Sequence, residues 1–371
     1  MKVLALASYP VQAAATRYRL EQFVQPLAAR GITLTIRPFF DSQLFESLYD
    51  RRALPRTAVG LLRAGMLRLG DVFAARKADV ILIQREAMIY GPPVIEWLMT
   101  RSGPPMVLDL DDATYVPYTS PTYGSLGKVF KWFSKTDDLI RWAQIVTCGN
   151  RAIAEYVSRK GTRARLLPTV VDTEVFRPLP RKEAEPGKLV LGWVGTHSTF
   201  PYLESIFPAL QELALDHRFR LKIVGSGRKE VSIPGVDVEN LEWKLDREVK
   251  DFQSFDIGLY PIATTLYADA WAAGKSGFKA IQYMAVGVPY VATPVGAIAE
   301  IGEIGTTHWC ASSNGEWRDA LSKLLTDRSQ RETMGAAGRG HAIEHFGLAA
   351  HADKLAAALR EAAGGLNYSR S

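Results

Sequence analysis

Lysines and small residues occur together at one place in the C-terminal half of this chain. The segment Gly274–Gly296 reads GKSGFKAIQYMAVGVPYVATPVG. Its first residues predict a turn in which Ser276 caps a helix that begins at about Phe278. A helix N-terminus presents free N–H groups and partial positive charge, and Lys275 and Lys279 would add two cations. The pattern predicts a phosphate site, although an ordinary loop–helix–strand unit with solvated lysines would look the same.

Glycines and hydroxyl side chains follow two further predicted strands of the C-terminal half. Leu189–Val194 ends in GTHST, and Leu221–Val224 ends in GSGR. Because ligands of open parallel sheets lie beyond the carboxyl ends of the strands, these turns are candidate contacts for a bound group. The candidate residues are Gly195, Thr196, His197, Gly225, Gly227 and Arg228. The competing interpretation is turn geometry without a ligand.

An acidic run ends a predicted buried strand of the N-terminal half. Asp109, Asp111 and Asp112 lie at the end of Met106–Leu110. These carboxylates could bind a divalent metal, serve as catalytic or acceptor-orienting groups in a cleft, or form a cap on the next turn. We expect the second of these roles for Asp111 and Asp112.

Two arginines lie near the start of the first predicted helix, Arg17–Arg30. Cations are unfavourable at a helix N-terminus, so Arg17 and Arg19 at that position would suggest an anionic partner. A solvated helix start is the alternative. Together with Tyr115, these arginines are the candidate acceptor-binding residues.

Length, composition and charge bound the class of protein. The chain of 371 residues exceeds what one core usually organises, and 47% hydrophobic with 23% charged residues is a globular composition. Cys148 and Cys310 give neither a disulfide framework nor metal-ligand spacing, which favours a reducing, cytoplasmic location. We expect no secretory signal at the N-terminus, and no apolar run approaches the roughly 18 residues of a membrane span.

The net charge of +6 is unevenly distributed. Residues 1–180 carry +8 and residues 181–371 carry −2. A basic half could face anionic lipid or an anionic acceptor, whereas no nucleic-acid-binding motif accompanies the charge. Basic and aromatic residues alternate in Lys128–Lys135, which could contact the inner membrane surface or continue a core stripe through Leu139.

Short apolar runs alternate with amphipathic stretches, which predicts an α/β fold with parallel sheets. The predicted strands of the first half are Lys2–Ser8, Ile32–Ile36, Asp79–Gln84, Met106–Leu110, Ile145–Cys148 and Leu166–Pro168. Those of the second half are Leu189–Val194, Leu221–Val224, Val238–Leu241, Ile257–Tyr260 and Tyr290–Thr293.

Helical stretches and a linker complete the predicted organisation. Leu44–Lys77 is predicted to be helical, with arginines at 51, 52, 56, 63, 68 and 76 between apolar positions. The proline-rich and charged segment Pro178–Gly187 predicts a domain boundary. We therefore expect one Rossmann-like domain over 1–178 and a second over 188–346, followed by 347–371 with a terminal helix at Leu348–Ala363.

The lysine-containing segment of the C-terminal half resembles that of a known family. KSGFKAIQYMAVGVPYVATPVG is similar to the donor-site segment of retaining GT-B glycosyltransferases of family 4 (group 1). The family's two glutamates are replaced here by Gly274 and Gln282, giving K-x-x-x-K-x-x-Q-Y-M-A. The linker also resembles the family's P-N-G-V-D-x-x-x-F-x-P signature from Pro168 to Pro178.

The resemblance implies a fold and an activity. The fold would be GT-B, two Rossmann-like domains with parallel sheets facing a central cleft, and the terminal helix would cross back onto the first domain. The activity would be transfer of a sugar, with retention, from a UDP- or GDP-linked donor to a glycan, lipid-linked or small-molecule acceptor. No cofactor or metal is expected.

The resemblance also implies roles for particular residues. Lys275, Ser276 and Gly277 would hold the donor diphosphate together with the catalytic Lys279. Gln282 would contact the ribose, and Trp243 would lie near the base unless it belongs to the core. Two other classes stay open: a non-catalytic or epimerase-like GT-B protein that binds nucleotide sugars, and a metal-dependent transferase that uses Asp109–Asp112.

Overall fold

The computed structural model of the protein consists of two compact units. The first comprises Met1–Thr169 and Leu348–Ser371, and the second comprises Val170–Gly347. The residues that the structure describes are 1–47, 54–117, 132–179, 189–262 and 274–364. Most of the predicted linker, the arginines at 51 and 52, and residues 128–131 of the basic–aromatic segment lie outside the described residues.

The first unit is built on a sheet of six parallel strands in the order β2-β1-β3-β4-β5-β6. These strands are β1 Lys2–Ala7, β2 Thr33–Pro38, β3 Val80–Gln84, β4 Met106–Leu110, β5 Ile145–Cys148 and β6 Ala164–Leu166. All residues of β3, β4 and β5 are buried, as expected of internal strands covered on both faces.

Helices cover this sheet and include the C-terminal end of the chain. They are α1 Ala14–Arg19, α2 Val24–Ala28, α3 Ser42–Ser47, α4 Leu54–Ala75, α5 Val94–Ser102, α6 Lys135–Trp142, α7 Arg151–Arg159 and α14 Leu348–Gly364. In α14 the apolar face is buried against the first unit, and Asp353 accepts a 2.6 Å hydrogen bond from Arg30 Nε.

The second unit repeats the design with strand order β9-β8-β7-β10-β11-β12, again all parallel. Its strands are β7 Leu189–Val194, β8 Phe219–Val224, β9 Asp237–Leu241, β10 Ile257–Tyr260, β11 Tyr290–Ala292 and β12 Trp309–Cys310. Counted within the unit this order is 3-2-1-4-5-6, the arrangement of dinucleotide-binding Rossmann sheets.

The helices of the second unit follow its strands in the usual alternation. They are α8 Phe200–Glu204, α9 Phe207–Asp216, α10 Glu248–Gln253, α11 Phe278–Ala285, α12 Asn314–Thr326 and α13 Arg328–Phe346. The prediction of an α/β protein with two Rossmann-like parallel sheets is therefore confirmed. That the sheets face a central cleft stays a prediction.

One predicted helix is wrong in its extent. The stretch expected as a single helix over Arg17–Arg30 consists of α1, a 3₁₀ turn at Glu21–Phe23, and α2. Leu20 leaves helical geometry at φ −128° and ψ −60°. Pro26 also lacks the N–H that a continuous helix would bond to the carbonyl of Gln22.

Aromatic packing fixes α11 to the second sheet. Tyr283 is fully buried, and its hydroxyl lies 2.9 Å from the carbonyl oxygen of Gly192 and 3.1 Å from that of Leu259. A Cβ atom at Gly258 would lie 2.6 Å from the Tyr283 ring, and one at Gly192 would lie 2.0 Å from the Phe255 ring. Glycine at these strand positions therefore creates the space that the rings fill.

We predict that Gly192→Ala destabilises the second unit by about 1–3 kcal/mol, because an added methyl group overpacks a filled core. Urea unfolding followed by tryptophan fluorescence measures the change. The matched control is Gly315→Ala, where a Cβ meets nothing within 4 Å. Equal unfolding midpoints for the two variants would contradict the packing described here.

Candidate functional site

The strand order places two loops of the chain at positions where parallel sheets bind ligands. In the second unit the order reverses between β7 and β10, so the loop after β7 lies at the switch point. In the first unit it reverses between β1 and β3, so the residue after β3, Arg85, lies at the equivalent point. Each unit thus has one site that its topology favours.

Three glycines allow the two loops of the second unit to approach each other closely. The Gly195 amide donates to Val224 O at 3.0 Å. A Cβ at Gly225 would lie 2.4 Å from Gly195 O, and one at Gly227 would lie 2.6 Å from His197 Cβ. Gly225 and Gly227 also have φ values of +85° and +69°, which side chains rarely adopt. The structure therefore brings the predicted residues of both loops together.

The loop after β7 is exposed and rich in hydroxyl groups. Thr196 Oγ1 and Ser198 Oγ lie 2.8 Å apart, and the Thr196 amide donates to Thr199 Oγ1 at 3.0 Å. The Thr196 amide is therefore engaged within the loop, whereas the Thr196 hydroxyl and the His197 side chain are exposed. Hydroxyl and imidazole groups are the contacts that this loop offers.

A small polar network positions Arg228 beside the same loop. Ser226 Oγ lies 2.8 Å from Asn240 Oδ1 and accepts a 3.1 Å hydrogen bond from the Arg228 amide. Asn240 in turn donates to Arg228 O at 2.9 Å, and the Arg228 guanidinium lies 5.9 Å from the ring centre of Phe200. Ser226 and Asn240 were not predicted from the sequence, because their roles depend on a contact between β9 and the loop after β8.

Trp243 lies beside the second glycine loop. The side chain is half-buried, and a Cβ at Gly225 would lie 3.4 Å from Trp243 Cβ. Part of the Trp243 side chain is therefore accessible next to the loop, as a contact with a bound base would require. The alternative that Trp243 belongs wholly to the core is therefore not favoured.

The start of α11 differs from the prediction in its capping residue. The N-cap is Gly277, with φ +64°, and no side chain caps the helix. Ser276 as the N-cap is therefore wrong, because the chain enters the helix through a left-handed residue that follows it. A Cβ at Gly277 would also lie 2.3 Å from Ile301 Cδ1. The N-cap residue itself therefore contributes no side chain that would compete with a ligand for the amide groups at this helix start.

Lys279 lies in the first turn of α11 and is half-buried. Its ammonium group donates to Gln282 Oε1 at 3.2 Å and lies 5.4 Å from the ring centre of Phe252. Gln282 is fully buried, and its Nε2 has no hydrogen-bond partner among the described residues. Lys275 is also half-buried, two residues before the N-cap. The structure therefore brings both lysines and Gln282 to one helix start.

Arg85 is a candidate residue of the first unit that was not predicted from the sequence. It has φ +62°, and its Nε and Nη2 donate to the two carboxylate oxygens of Asp111 at 2.6 and 2.7 Å. Nη2 also lies 3.6 Å from Asp112 Oδ2. Burial alone would raise the pKa of Asp111, but the charge and hydrogen bonds of Arg85 outweigh it and lower that pKa. Asp111 is therefore a carboxylate and a weak base.

The Arg19 side chain is buried and is part of the packing of the first unit. The helix that contains it begins at Ala14, so Arg17 and Arg19 lie in the last turn, where cations are favourable. The inference of an anionic partner from a helix N-terminus is therefore wrong. Arg19 is buried, forms a bidentate pair with Asp109, and donates to Leu167 O at 2.7 Å.

The remaining acceptor candidates are partly buried. Arg17 donates to Gln12 O at 2.7 Å, which fixes its guanidinium against the loop after β1. The Tyr115 ring stacks on the Tyr156 ring, with centroids 3.7 Å apart and planes 2° apart. Burial raises the pKa of Tyr115 to about 12, with a smaller contribution from Tyr156. The Tyr115 hydroxyl therefore stays protonated near neutral pH.

The acidic run does not form a cluster of free carboxylates. Asp109 is paired with Arg19 and also accepts from Thr147 Oγ1 at 2.6 Å, while Asp111 is paired with Arg85. Among the described residues, no group of three or more His, Cys, Asp and Glu side chains is placed to hold a metal ion. The run is instead an arginine–carboxylate network at the ends of β3 and β4.

We predict that Arg19→Met destabilises the first unit by about 3–5 kcal/mol, because Asp109 would be left as an unpaired buried charge. The double variant Arg19→Met/Asp109→Leu should recover a large part of this loss, since both charges are removed. Urea unfolding of the three proteins measures the difference. Wild-type stability in the single variant would show that the pair is not buried as described.

Part of the chain is similar in sequence to a known protein family. Residues 188–327 match the family described as Glycosyl transferases group 1. A comparison with curated proteins found no match.

Solved structures with the same fold include sucrose-phosphate synthase from Thermosynechococcus elongatus, with a TM-score of 0.69, 15% identity and coverage of 97% of this chain and 98% of that one. HepE of Anabaena in complex with UDP and glucose has a TM-score of 0.68 at 15% identity, over 97% and 100% of the two chains. A glycosyltransferase from Rickettsia africae has a TM-score of 0.67 at 12% identity, over 100% and 99%. The protein therefore has the GT-B fold, and its residues 188–327 carry the sequence pattern of the group 1 glycosyl transferases.

Proposed function

We propose that this protein is a glycosyltransferase that moves a sugar from a nucleotide-sugar donor to an acceptor, and that its second unit binds the donor. The observation that carries the proposal is the group 1 match over residues 188–327, because it spans both the loop after β7 and the start of α11. HepE, a structure of the same fold, is described in complex with UDP-glucose. A UDP- or GDP-linked sugar is therefore the donor class that we propose.

The donor diphosphate would lie at the start of α11. Lys275, Lys279 and the backbone of Ser276 and Gly277 supply positive charge and N–H groups there. The hydroxyls of the loop after β7 would add neutral hydrogen bonds, through Thr196 and its neighbours. Since all of these groups belong to the second unit, we expect donor binding to need no contribution from the first.

The nucleoside would lie next to the glycine loop after β8. Arg228 and Trp243 border this loop. Gln282 would contact the ribose through Nε2 after a local movement that exposes its amide, because the side chain is fully buried in the structure. A neutral amide binds less strongly than the carboxylate that the resemblance leads one to expect, because charge-assisted hydrogen bonds are roughly twice as strong. We therefore expect a nucleotide affinity that depends mainly on the diphosphate.

Catalysis would depend on stabilising the charge that develops on the leaving diphosphate. Preorganised donors aimed at such charge are typically the largest catalytic contribution. In this proposal Lys279 is catalytic, the reaction retains configuration, and lysines with the helix dipole offset the diphosphate charge without a metal. Asp111 and Asp112 would orient the acceptor as anions held by Arg85, since a low pKa makes Asp111 unsuited to accept a proton.

The acceptor would bind to the first unit through Arg17, Tyr115 and Asp112. These groups offer a cation, a protonated phenol and a carboxylate, which together suit a polar acceptor such as a glycan, a lipid-linked sugar or a small hydroxyl compound. Arg19 is not proposed as a ligand, because its guanidinium is occupied by Asp109 and Leu167.

A second candidate function is nucleotide-sugar binding without transfer. The replacement of the two glutamates by Gly274 and Gln282 favours it, because both positions would otherwise carry charge. Thermal-shift screening with UDP-, GDP- and ADP-sugars identifies the ligand, since ligand at 100 times its Kd stabilises by about 2.7 kcal/mol. Binding without nucleotide release on any acceptor would favour the second function, and loss of transfer in EDTA would favour a metal-dependent enzyme.

We predict that Lys279→Ala lowers kcat on the order of 100-fold, because a donor aimed at the leaving-group charge is removed. The measurement is release of nucleoside diphosphate with the donor found by thermal shift. The control is Lys250→Ala, an exposed lysine of α10 whose loss should leave the rate unchanged. A wild-type kcat for a correctly folded Lys279→Ala variant would contradict the catalytic role proposed for Lys279.

We also predict that Gln282→Met weakens nucleotide binding about fivefold, since a hydrogen bond to a ribose hydroxyl contributes about 1 kcal/mol. Calorimetric titration with the nucleoside diphosphate measures the dissociation constant. The same substitution at Gln253 is the control, because that half-buried side chain donates to Arg177 O and is not among the proposed donor contacts. An unchanged dissociation constant for Gln282→Met would contradict the proposed contact between Gln282 and the ribose.

A further inference from the structure

Helix α4 exposes a continuous apolar stripe. Its members lie three or four residues apart, which places them on one face of the helix over about 21 Å. They are Val59, Leu62, Met66, Leu69 and Phe73, with Leu67 beside them, and each is between 49% and 73% exposed. An exposed row of this size is unusual for the surface of a globular unit and marks a contact.

The buried face of α4 combines charged side chains with the apolar residues Ala64, Val72 and Ala75. Arg68 is fully buried and donates to Ala7 O, Ala87 O and Arg37 O, each at 3.0 Å. Asp71 accepts from Arg68 at 2.8 Å and also pairs with Arg37. Helix α4 therefore packs on the first unit through a face other than the apolar stripe, and the packing of the described residues does not account for that stripe.

The charges beside the stripe are positive. Arg63, Arg76 and Lys77 are exposed, and the Arg76 guanidinium lies 5.5 Å from the ring centre of Phe73. Asp71 is the acidic residue of α4, and it is buried in its ion pairs. The exposed face of α4 thus combines apolar side chains with Arg63, and two further cations follow the end of the helix, while Leu54–Ala75 carries no exposed carboxylate.

The neighbouring helix has a similar surface. Helix α5 contacts α4 and exposes Val94 and Trp97. The Arg101 guanidinium lies 5.6 Å from the Trp97 ring centre. Tryptophan with basic side chains is typical of segments that lie at a membrane–water interface.

We propose that α4 lies on an anionic lipid surface, with its apolar stripe at the acyl boundary and its cations at the headgroups. A second copy of the chain is the weaker candidate, because pairing two α4 faces would bring cations together without carboxylates to oppose them. None of the helices in the described part of the chain combines the length and hydropathy of a membrane span. The proposal does not depend on the glycosyltransferase activity.

This surface differs from Lys128–Lys135, for which the sequence left a membrane contact and a core stripe as alternatives. Lys135 is buried, and its ammonium group lies 2.8 Å from Glu86 Oε2, so it is not available to lipid. Residues 128–131 lie outside the described residues. The proposal thus moves the membrane contact to a helix that the sequence marked only as arginine-rich.

Co-sedimentation with vesicles tests the apolar stripe. The full-length protein should bind vesicles of phosphatidylcholine containing a third phosphatidylglycerol, and it should not bind phosphatidylcholine alone. Leu62→Asp/Met66→Asp should abolish binding. The matched control is Leu215→Asp/Ile343→Asp, which places the same two charges at exposed apolar positions of the second unit and should bind like wild type.

A second pair of variants tests the cations. Arg63→Gln/Arg76→Gln should weaken vesicle binding on the order of 30-fold, which is the usual combined effect of two basic residues near an anionic surface. Arg177→Gln/Arg218→Gln, two exposed arginines of the second unit, should have no effect. Because these substitutions leave the apolar stripe intact, they test the proposal even if the aspartate variant fails to fold.

Three results would overturn the proposal. The first is equal binding to neutral and anionic vesicles, and the second is wild-type binding by Leu62→Asp/Met66→Asp. The third is a dimer in analytical ultracentrifugation that dissociates on this substitution while the wild type does not bind vesicles, which would assign the stripe to a second copy. Donor binding by the same proteins is measured in parallel, so that a failure of the membrane proposal can be distinguished from a failure of the proposed glycosyltransferase activity.

Discussion

The second unit depends on the close approach of backbone to backbone and backbone to ring at its glycines. Gly192 and Gly258 admit the aromatic side chains that hold α11 against the sheet, while Gly195 and Gly225 let the two strand-end loops touch. A side chain at any of these positions would separate elements whose spacing defines the proposed donor site. The position of α11, and with it that of Lys279, thus depends on glycines that lie in the strands of the sheet.

In the first unit, the charged side chains at the ends of β3 and β4 are held by one another. Arginines at 19 and 85 each bind a carboxylate through two hydrogen bonds, and the resulting pairs are largely buried. Bidentate pairing fixes orientation as well as charge. Asp111 is therefore held in one direction as an anion, which suits positioning of a ligand better than proton transfer.

The sequence was sufficient for ten of the twelve strands that the structure describes and for the glycine loops, because apolar runs and strand-end glycines are local signals. It missed β12 and placed β6 two residues too late, since both are short edge strands without an apolar run. It was not sufficient for α1, whose Ala14 and Ala15 were expected in a loop although alanine has the highest helix propensity, so both arginines were placed at the wrong end of the helix. Arg85 could not be identified, since its role depends on a left-handed backbone and on Asp111, 26 residues later. The N-cap of α11 is Gly277 and not Ser276, which could not be predicted because a sequence does not give the φ angle of a residue.

The return of the C-terminal helix to the first unit has a consequence for dissecting the protein. Helix α14 buries a row of apolar residues on a unit whose other elements all precede Thr169. A fragment ending there would leave an uncovered hydrophobic surface and aggregate, whereas a fragment from Val170 to Gly347 keeps every strand of its own sheet. The second unit can therefore be expressed as one continuous stretch. The first unit needs α14 as well, either joined to it by circular permutation or co-expressed as a separate peptide.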